Sequence, residues 1–299
     1  MPALPPITNL QAFEAVARRR SFALAAAELH LTASAISHQI ARLEAQLDVR
    51  LFERSAHGVR LSPAGEHYLL RVGAALSAIS AASDDLRQGV RNSLYVHSAP
   101  SIASLWLMPR LRRFAQAYPE ISLNLSAAHT PSDFALGQAD IDIRYGVPQW
   151  GDLVVEPLFE EAIVPLASPA FIKEHKLKRA EQLLEVPLIQ SNVSVVQWSD
   201  WFTRFTSLRA PDRFPVRFDR AQMSLDAATQ GLGVALESAV NAGGHLAEGK
   251  LKPVFGMDRA IGVKAHFAVY PERHAKRPAV EAFLSWLHRE AATTPGRMR

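Results

Sequence analysis

Residues 21–54, SFALAAAELHLTASAISHQIARLEAQLDVRLFER, read as two helices joined by a tight turn and followed by the first strand of a β-wing. The second helix sorts its residues by face. At 3.6 residues per turn, Ile36, Ile40, Leu43 and Leu47 share one apolar stripe. Ser34, Ser37, His38, Ala41 and Arg42 share the opposite face, which carries no large apolar side chain. Such a face suits a groove of DNA. Short side chains permit close approach, hydroxyls reach phosphates, and His and Arg reach base edges. On this reading Ser37, His38 and Arg42 recognise bases, and Thr32 and Ser34 contact the sugar-phosphate backbone.

Start and stop signals support the layout. Ser21 caps a short helix carrying Phe22, Ala25, Ala26 and Leu29; His30-Leu31 makes the turn, and Thr32 caps the second helix. The alanines are small because two helices cross closely there. Upstream, Asn9–Arg19 forms a helix with Leu10, Phe13 and Val16-Ala17 on one face, and Pro5-Pro6 blocks any earlier helical turn. Downstream, Leu51-Phe52 and Val59-Leu61 pair as short strands. Ser55, Ala56, His57 and Gly58 form the tip, flanked by Arg54 and Arg60, which are placed to meet phosphates. The pattern is a winged helix-turn-helix. The competing reading is a helical pair that serves only its own core; the agreement of caps, turn and strands along one continuous stretch favours DNA.

A further set of residues is specific to a family. Phe13-Glu14-Ala15-Val16-Ala17, Ser21-Phe22, Ala25-Ala26 and Leu29-His30-Leu31-Thr32 are followed by Ala35-Ile36-Ser37-His38-Gln39-Ile40 and Leu43-Glu44. Leu51-Phe52-Glu53-Arg54 and Leu61-Ser62-Pro63-Ala64-Gly65 complete the set. Together they resemble the N-terminal signature of LysR-type transcriptional regulators, most closely the subgroup of the glycine-cleavage activator and the β-lactamase regulator. Two positions depart from the family pattern. Ala33-Ser34 stands where Gln-Pro is common, and His38 stands where Arg is common, so operator sequence does not carry over.

Composition narrows the class. The chain has 299 residues, 48% of them apolar, enough for two or three domains with a sizeable core. No run of eighteen apolar residues marks a membrane span. No basic stretch followed by an apolar one marks a secretory signal. There is no cysteine, which excludes disulfides, thiol catalysis and thiolate metal sites and fits a cytoplasmic location. Residues 1–65 hold seven arginines, no lysine and five acidic residues, a net charge of only +2. A non-specific DNA binder is far more basic. The DNA reading therefore rests on arrangement, and the weak charge implies that dimerisation supplies affinity.

Ser62-Pro63 opens a long helix that ends near Gln88. Leu69, Val72, Leu76, Ile79, Ser83 and Leu86 alternate at spacings of three and four, a heptad seam. Gly73, Ala74, Ala75, Ala78, Ala81 and Ala82 keep its flanks narrow. Either a partner chain covers this seam or the helix packs on its own domain. The resemblance implies the first: an antiparallel dimer, or a dimer of dimers, that spaces two recognition helices over a pseudo-palindromic operator.

From Leu94 onward, strands alternate with helices, which predicts an α/β architecture with largely parallel sheets. Strands are expected at Leu94–Ala99, Ile121–Ser126, Ile141–Arg144, Ile163–Ala167, Leu188–Gln190, Val216–Asp219, Val234–Leu236 and Ala265–Val269. The family resemblance implies two Rossmann-like subdomains, like type 2 periplasmic binding proteins, with an effector cleft between them. Pro100-Ser101-Ile102, Asp140-Ile141, Ile143-Arg144-Tyr145-Gly146, Gly231 to Ala235 and Tyr270-Pro271 carry that likeness. The expected domains are 1–62, a linker helix at 63–89, and 90–299. Within the last, subdomain I covers about 92–167 and 270–292, and subdomain II about 168–269.

Ligand groups should come from strand ends and helix starts facing the cleft. Ser101 and Ile102, His129, Arg144 and Tyr145 qualify on subdomain I; Ser191, Asn192, Met223 and Ser224 qualify on subdomain II. Each has a plainer reading. Ser101 is also placed to cap its helix, Arg144 to pair with a structural carboxylate, and His129 to face solvent. Asp142 either repels an anionic effector or faces solvent. Trp198 and Trp201 share a helix face, at the cleft mouth or in the core. The expected effector is a small metabolite with a carboxylate or an amino-acid-like head; no cofactor or metal is expected, and RNA polymerase is the expected protein partner.

Rival functions lack their signals. There is no GxSxG, HExxH or P-loop, the eleven histidines have no ligand spacing, and Gly231-Leu232-Gly233 lacks the third glycine of a dinucleotide fingerprint. A solute-binding protein has no use for the helix-turn-helix, and an architectural DNA protein has no use for a cleft domain. The expected function is effector-controlled transcriptional regulation.

Overall fold

The computed structural model describes residues 4–55, 58–88 and 92–295, and the chain divides into two units, Met1–Val90 and Arg91–Arg299. In the first unit, α1 (Ile7–Arg19), α2 (Phe22–Glu28) and α3 (Ala33–Leu47) precede a hairpin of β1 (Phe52–Ser55) and β2 (Gly58–Leu61). The capping residues behave as expected. Ser21 Oγ accepts the Leu24 amide at 3.3 Å, and Thr32 Oγ1 accepts the Ala35 amide at 3.1 Å. Between them the Leu31 amide closes the turn on Ala26 O, and His30 takes a left-handed conformation at φ 54°. Ala25 and Ala26 are buried at the crossing, with Ile36, Ile40 and Leu43 beneath them in one core with Phe13 and Val16.

A buried carboxylate joins helix to wing. Glu44 Oε1 accepts the amides of Leu51 and Phe52 at 2.8 and 3.2 Å, and Oε2 pairs with Arg50. The wing then pairs Phe52 with Leu61 and Glu53 with Arg60. Ala56, His57 and the side chain of Arg54 lie outside the described residues.

Helix α4 (Pro63–Gln88) starts where expected. Ser62 Oγ accepts the Gly65 amide and donates to Arg50 O. Gly65 must lack a side chain, because a Cβ there would stand 2.1 Å from Leu51 O. The expected seam divides. Leu69, Val72 and Leu76 pack against the core of their own unit, and Ile79 is half exposed at 51%. The Leu86 side chain lies outside the described residues.

The second unit holds two sheets. The first has the order β4-β3-β5-β13-β6, from β3 (Ser93–Ser98), β4 (Ser122–Ala127), β5 (Ile141–Tyr145), β6 (Val154–Pro157) and β13 (His266–Tyr270). The second has the order β11-β7-β10-β8-β9, from β7 (Glu161–Ala167), β8 (Leu188–Ser191), β9 (Val216–Phe218), β10 (Val234–Ser238) and β11 (Lys252–Pro253), with β12 (Ile261–Val263) also on β7. Both sheets are mixed. β3 runs parallel to β4 and β5, and β8 to β9 and β10, but β13 and β7 run antiparallel to their neighbours. Those two strands enter straight from the other subdomain with no crossover helix, which is what parallel pairing requires.

The same strands correct the subdomain boundaries. β7 was expected to close subdomain I, yet it pairs with β10 of subdomain II, so the first crossing is at Leu158–Glu160. β13 pairs with β5 and β6 of subdomain I, so the second crossing is at Lys264-Ala265. Each lies several residues earlier than expected.

Subdomain I is held by α6 (Met108–Ala117) and α11 (Pro278–Ala292), whose Phe114, Phe283 and Trp286 pack on Leu94, Val96, Ile141 and Ile143. The ring pairs have centroids 5.1–5.3 Å apart, each contributing about 0.5–1.5 kcal/mol beyond burial. α5 (Pro100–Ile102) continues through a π-turn at Ala103–Leu107 into α6, and this turn accommodates Pro109. In subdomain II, Trp198 and Trp201 of α8 (Trp198–Phe205) are fully buried, and their indole N–H groups bond Ile189 O and Arg259 O. Both are core residues.

Candidate DNA-recognition face and ligand cleft

Helix α3 presents the face read from its sequence. Thr32, Ser34, His38, Ala41 and Arg42 are exposed, and Ser37 is half buried. The stripe on the other side is fixed by burial, with Ile36 and Leu43 at 0% exposure. Rotation of α3 about its axis is therefore locked by its core, and the polar face points outward. Arg60 is exposed on the wing. The Thr32 hydroxyl already accepts an amide, which leaves its O–H free to donate to a phosphate.

In the second unit a cavity of about 340 Å³ lies between the two sheets' subdomains. Ser101, Ile102, His129, Arg144, Tyr145 and Ser191 line it, as expected from sequence. Asn192, Met223 and Ser224 do not. Asn192 and Met223 are exposed, and Ser224 is buried one turn into α9 (Ala221–Thr229), beside Glu237. The helix turns Ala221 to the cavity, and the loop after β8 contributes Val193 and Ser194.

Three contacts join the cleft walls. Ser101 Oγ accepts the Gln222 amide at 3.4 Å, Tyr145 Oη accepts the Val195 amide at 3.1 Å, and His129 Nε2 stands 4.0 Å from Asp219 Oδ2. A fourth sits at the crossings: Glu161 opens β7, His266 opens β13, and their side chains meet at 3.0 Å. The Tyr145 ring lies tilted against that of His266, with centroids 4.8 Å apart, and burial raises its phenol pKa.

Asp142 follows neither reading given to it. It is buried and accepts Arg144 Nε at 2.9 Å and the Ser132 amide and hydroxyl at 3.0 Å. Arg144 also stands over the rings of Phe134 and Trp150, and Trp150 lines the cavity. Arg144, the one arginine of the lining among the described residues, is thus already paired. Residues 142 and 144 share a face of β5, so this pairing was available in the i, i+2 spacing. Glu237, Ser238, Asn241 and His266 also line the cavity and had no local sequence signal. Burial pushes the Glu237 carboxyl up to about 8, and Glu161 adds to the shift; Ser224 and the Ser238 amide oppose it. Among the described residues no group of His, Cys, Asp and Glu is arranged to hold a metal ion.

Comparison with known proteins agrees with this geometry. Residues 7–66 match the bacterial regulatory helix-turn-helix proteins of the lysR family, and residues 87–292 match the LysR substrate binding domain. The chain is 38% identical over 289 residues to the HTH-type transcriptional regulator PerR of Escherichia coli K12, covering 96% of each chain. It is 33% identical over 300 residues to the glycine cleavage system transcriptional activator of the same organism, covering 99% of this chain and 97% of the relative. Among solved structures, the effector domain of AmpR from Pseudomonas aeruginosa aligns with TM-score 0.59 at 29% identity, covering 67% of this chain and 96% of that one. Full-length matches of both halves, in order, to regulators of one kind settle the class: the chain belongs to the LysR family of DNA-binding transcriptional regulators with a C-terminal effector-binding domain.

Proposed function

We propose that the chain works as a homodimer, or a dimer of dimers, on a pseudo-palindromic operator, and that a small metabolite bearing a carboxylate controls it from the cleft. Ser37, His38 and Arg42 read bases; Thr32, Ser34, Arg54 and Arg60 hold the backbone. The Ile79–Leu86 part of α4 carries the dimer contact. Effector binding shifts the relative placement of paired DNA-binding domains and so changes contact with RNA polymerase in the cytoplasm. The observation that carries the effector reading is a cavity bridged by hydrogen bonds from its own lining, Ser101 to Gln222 and Tyr145 to Val195. A ligand that engages Ser101 competes with or reinforces a contact that fixes the subdomain angle.

The test is calorimetric titration of the full chain with the metabolite that gives the largest saturable thermal stabilisation. Ser101→Ala should weaken binding about tenfold, the loss of one hydrogen bond to a charged group. Equal affinities would show that Ser101 is only a bridge between subdomains and would move the site.

A further inference from the structure

Part of the cleft lining is acidic and short of charged donors. Glu237 and Asn241 line the cavity and both are buried; among the described residues Glu237 Oε1 and Asn241 Oδ1 meet no donor in hydrogen-bond geometry, the Ser224 hydroxyl and the Ser238 amide being the neutral donors beside Glu237. Glu161, also fully buried, has one oxygen on His266 and the other without a partner among the described residues. Among the described residues no Arg, Lys or His pairs with Glu237. Arg144 is held by Asp142, and His97 is committed to Ser126 Oγ and Thr130 O.

Buried acceptors without donors are costly, and a buried carboxyl without a counterion is costlier still once ionised. Where such a group lines a cleft, a ligand can supply the missing partner. Once ionised, Glu237 would repel a carboxylate ligand. An ammonium supplies three donors and a positive charge that favours the ionised form, drawing the raised pKa of Glu237 back down.

We propose that the cleft lining at Glu237 and Asn241 is a subsite for a primary ammonium group, so that the effector is an amino compound whose amine sits there, with its anionic part toward Ser101. This rests on the effector reading above and fixes the orientation of the ligand. The size of the cavity, about 340 Å³, admits a whole amino-acid-sized molecule rather than an ion alone.

The experiment measures thermal stability of the full-length protein against each of the twenty proteinogenic amino acids, putrescine, the N-acetyl form of each amine, and the matching 2-hydroxy acids. At least one free amine should stabilise the wild type saturably, while its N-acetyl and hydroxy counterparts do not. Glu237→Gln and Asn241→Leu should each weaken that amine about tenfold or more. The N-acetyl comparison is made on the wild type, so it stands even if a variant folds poorly. No saturable shift from any amine, or equal shifts from amine and N-acetyl form, overturns the subsite. If a hydroxy acid binds wild type and Glu237→Gln alike, the subsite falls and the effector cleft stands. If an amine binds Ser101→Ala and Glu237→Gln as tightly as wild type, both fall.

Discussion

The side chains that decide function differ in how openly the sequence declares them. Ser37 and His38 could be assigned to a face because burial of Ile36, Ile40 and Leu43 leaves α3 one orientation. Replacing both by Ala should lower affinity for a selected operator by about 1–3 kcal/mol per lost base contact and leave affinity for scrambled DNA unchanged. Fluorescence anisotropy on the two duplexes at fixed salt checks this, and an unchanged ratio would move recognition off this face. Glu237 was not legible, because a lone Glu in an apolar strand has no local pattern; only the approach of β7 and α9 makes it a buried acid. Its raised pKa has a sign that can be checked. The folded state holds the Glu237 proton up to about pH 8, while the unfolded chain releases it near 4.5. Stability from this group is therefore full below the unfolded value and falls as pH rises toward 8. Glu237→Gln should flatten that decline in melting temperature between roughly pH 5 and 8. An identical slope in both proteins would mean that the acid does not titrate there.

Elements were legible where local chemistry marks both ends. Ser21 and Thr32 cap their helices, Ser62-Pro63 opens α4, and every expected strand of the second unit is present within a residue or two. The crossings were not, because β6 and β7, and β12 and β13, follow each other with two or three residues between, and nothing in so short a span tells which sheet each joins. The heptad seam was legible as a pattern but not as a partner assignment. Leu69, Val72 and Leu76 already serve the core of their own unit, so Leu76→Asp would test folding as much as assembly. Ile79→Asp separates the two. It is half exposed, and the change should leave the melting temperature of the helix-turn-helix core nearly unchanged while sedimentation shows a lighter species and weaker operator binding. Wild-type sedimentation and affinity would rule this part of α4 out of the dimer contact.

At the scale of the whole molecule, two jobs are divided between two folding units, and regulation requires that occupancy of one change the behaviour of the other. The cleft is equipped for this. Its walls are held by Ser101–Gln222 and Tyr145–Val195, and its hinge by Glu161–His266, beside apolar packing of Val240 on the core of subdomain I and of Leu105 on that of subdomain II. A ligand that binds one subdomain angle better than another shifts the population by its differential affinity and no more. The direct measurement is a DNase I footprinting titration of the full-length protein on its selected operator, with and without a saturating concentration of the compound that stabilises it most. Ligand should shift the midpoint by about 5- to 150-fold, or change the extent of protection. Identical footprints at identical midpoints, with the cleft shown to be occupied, would contradict the claim that the cleft controls the DNA-binding face.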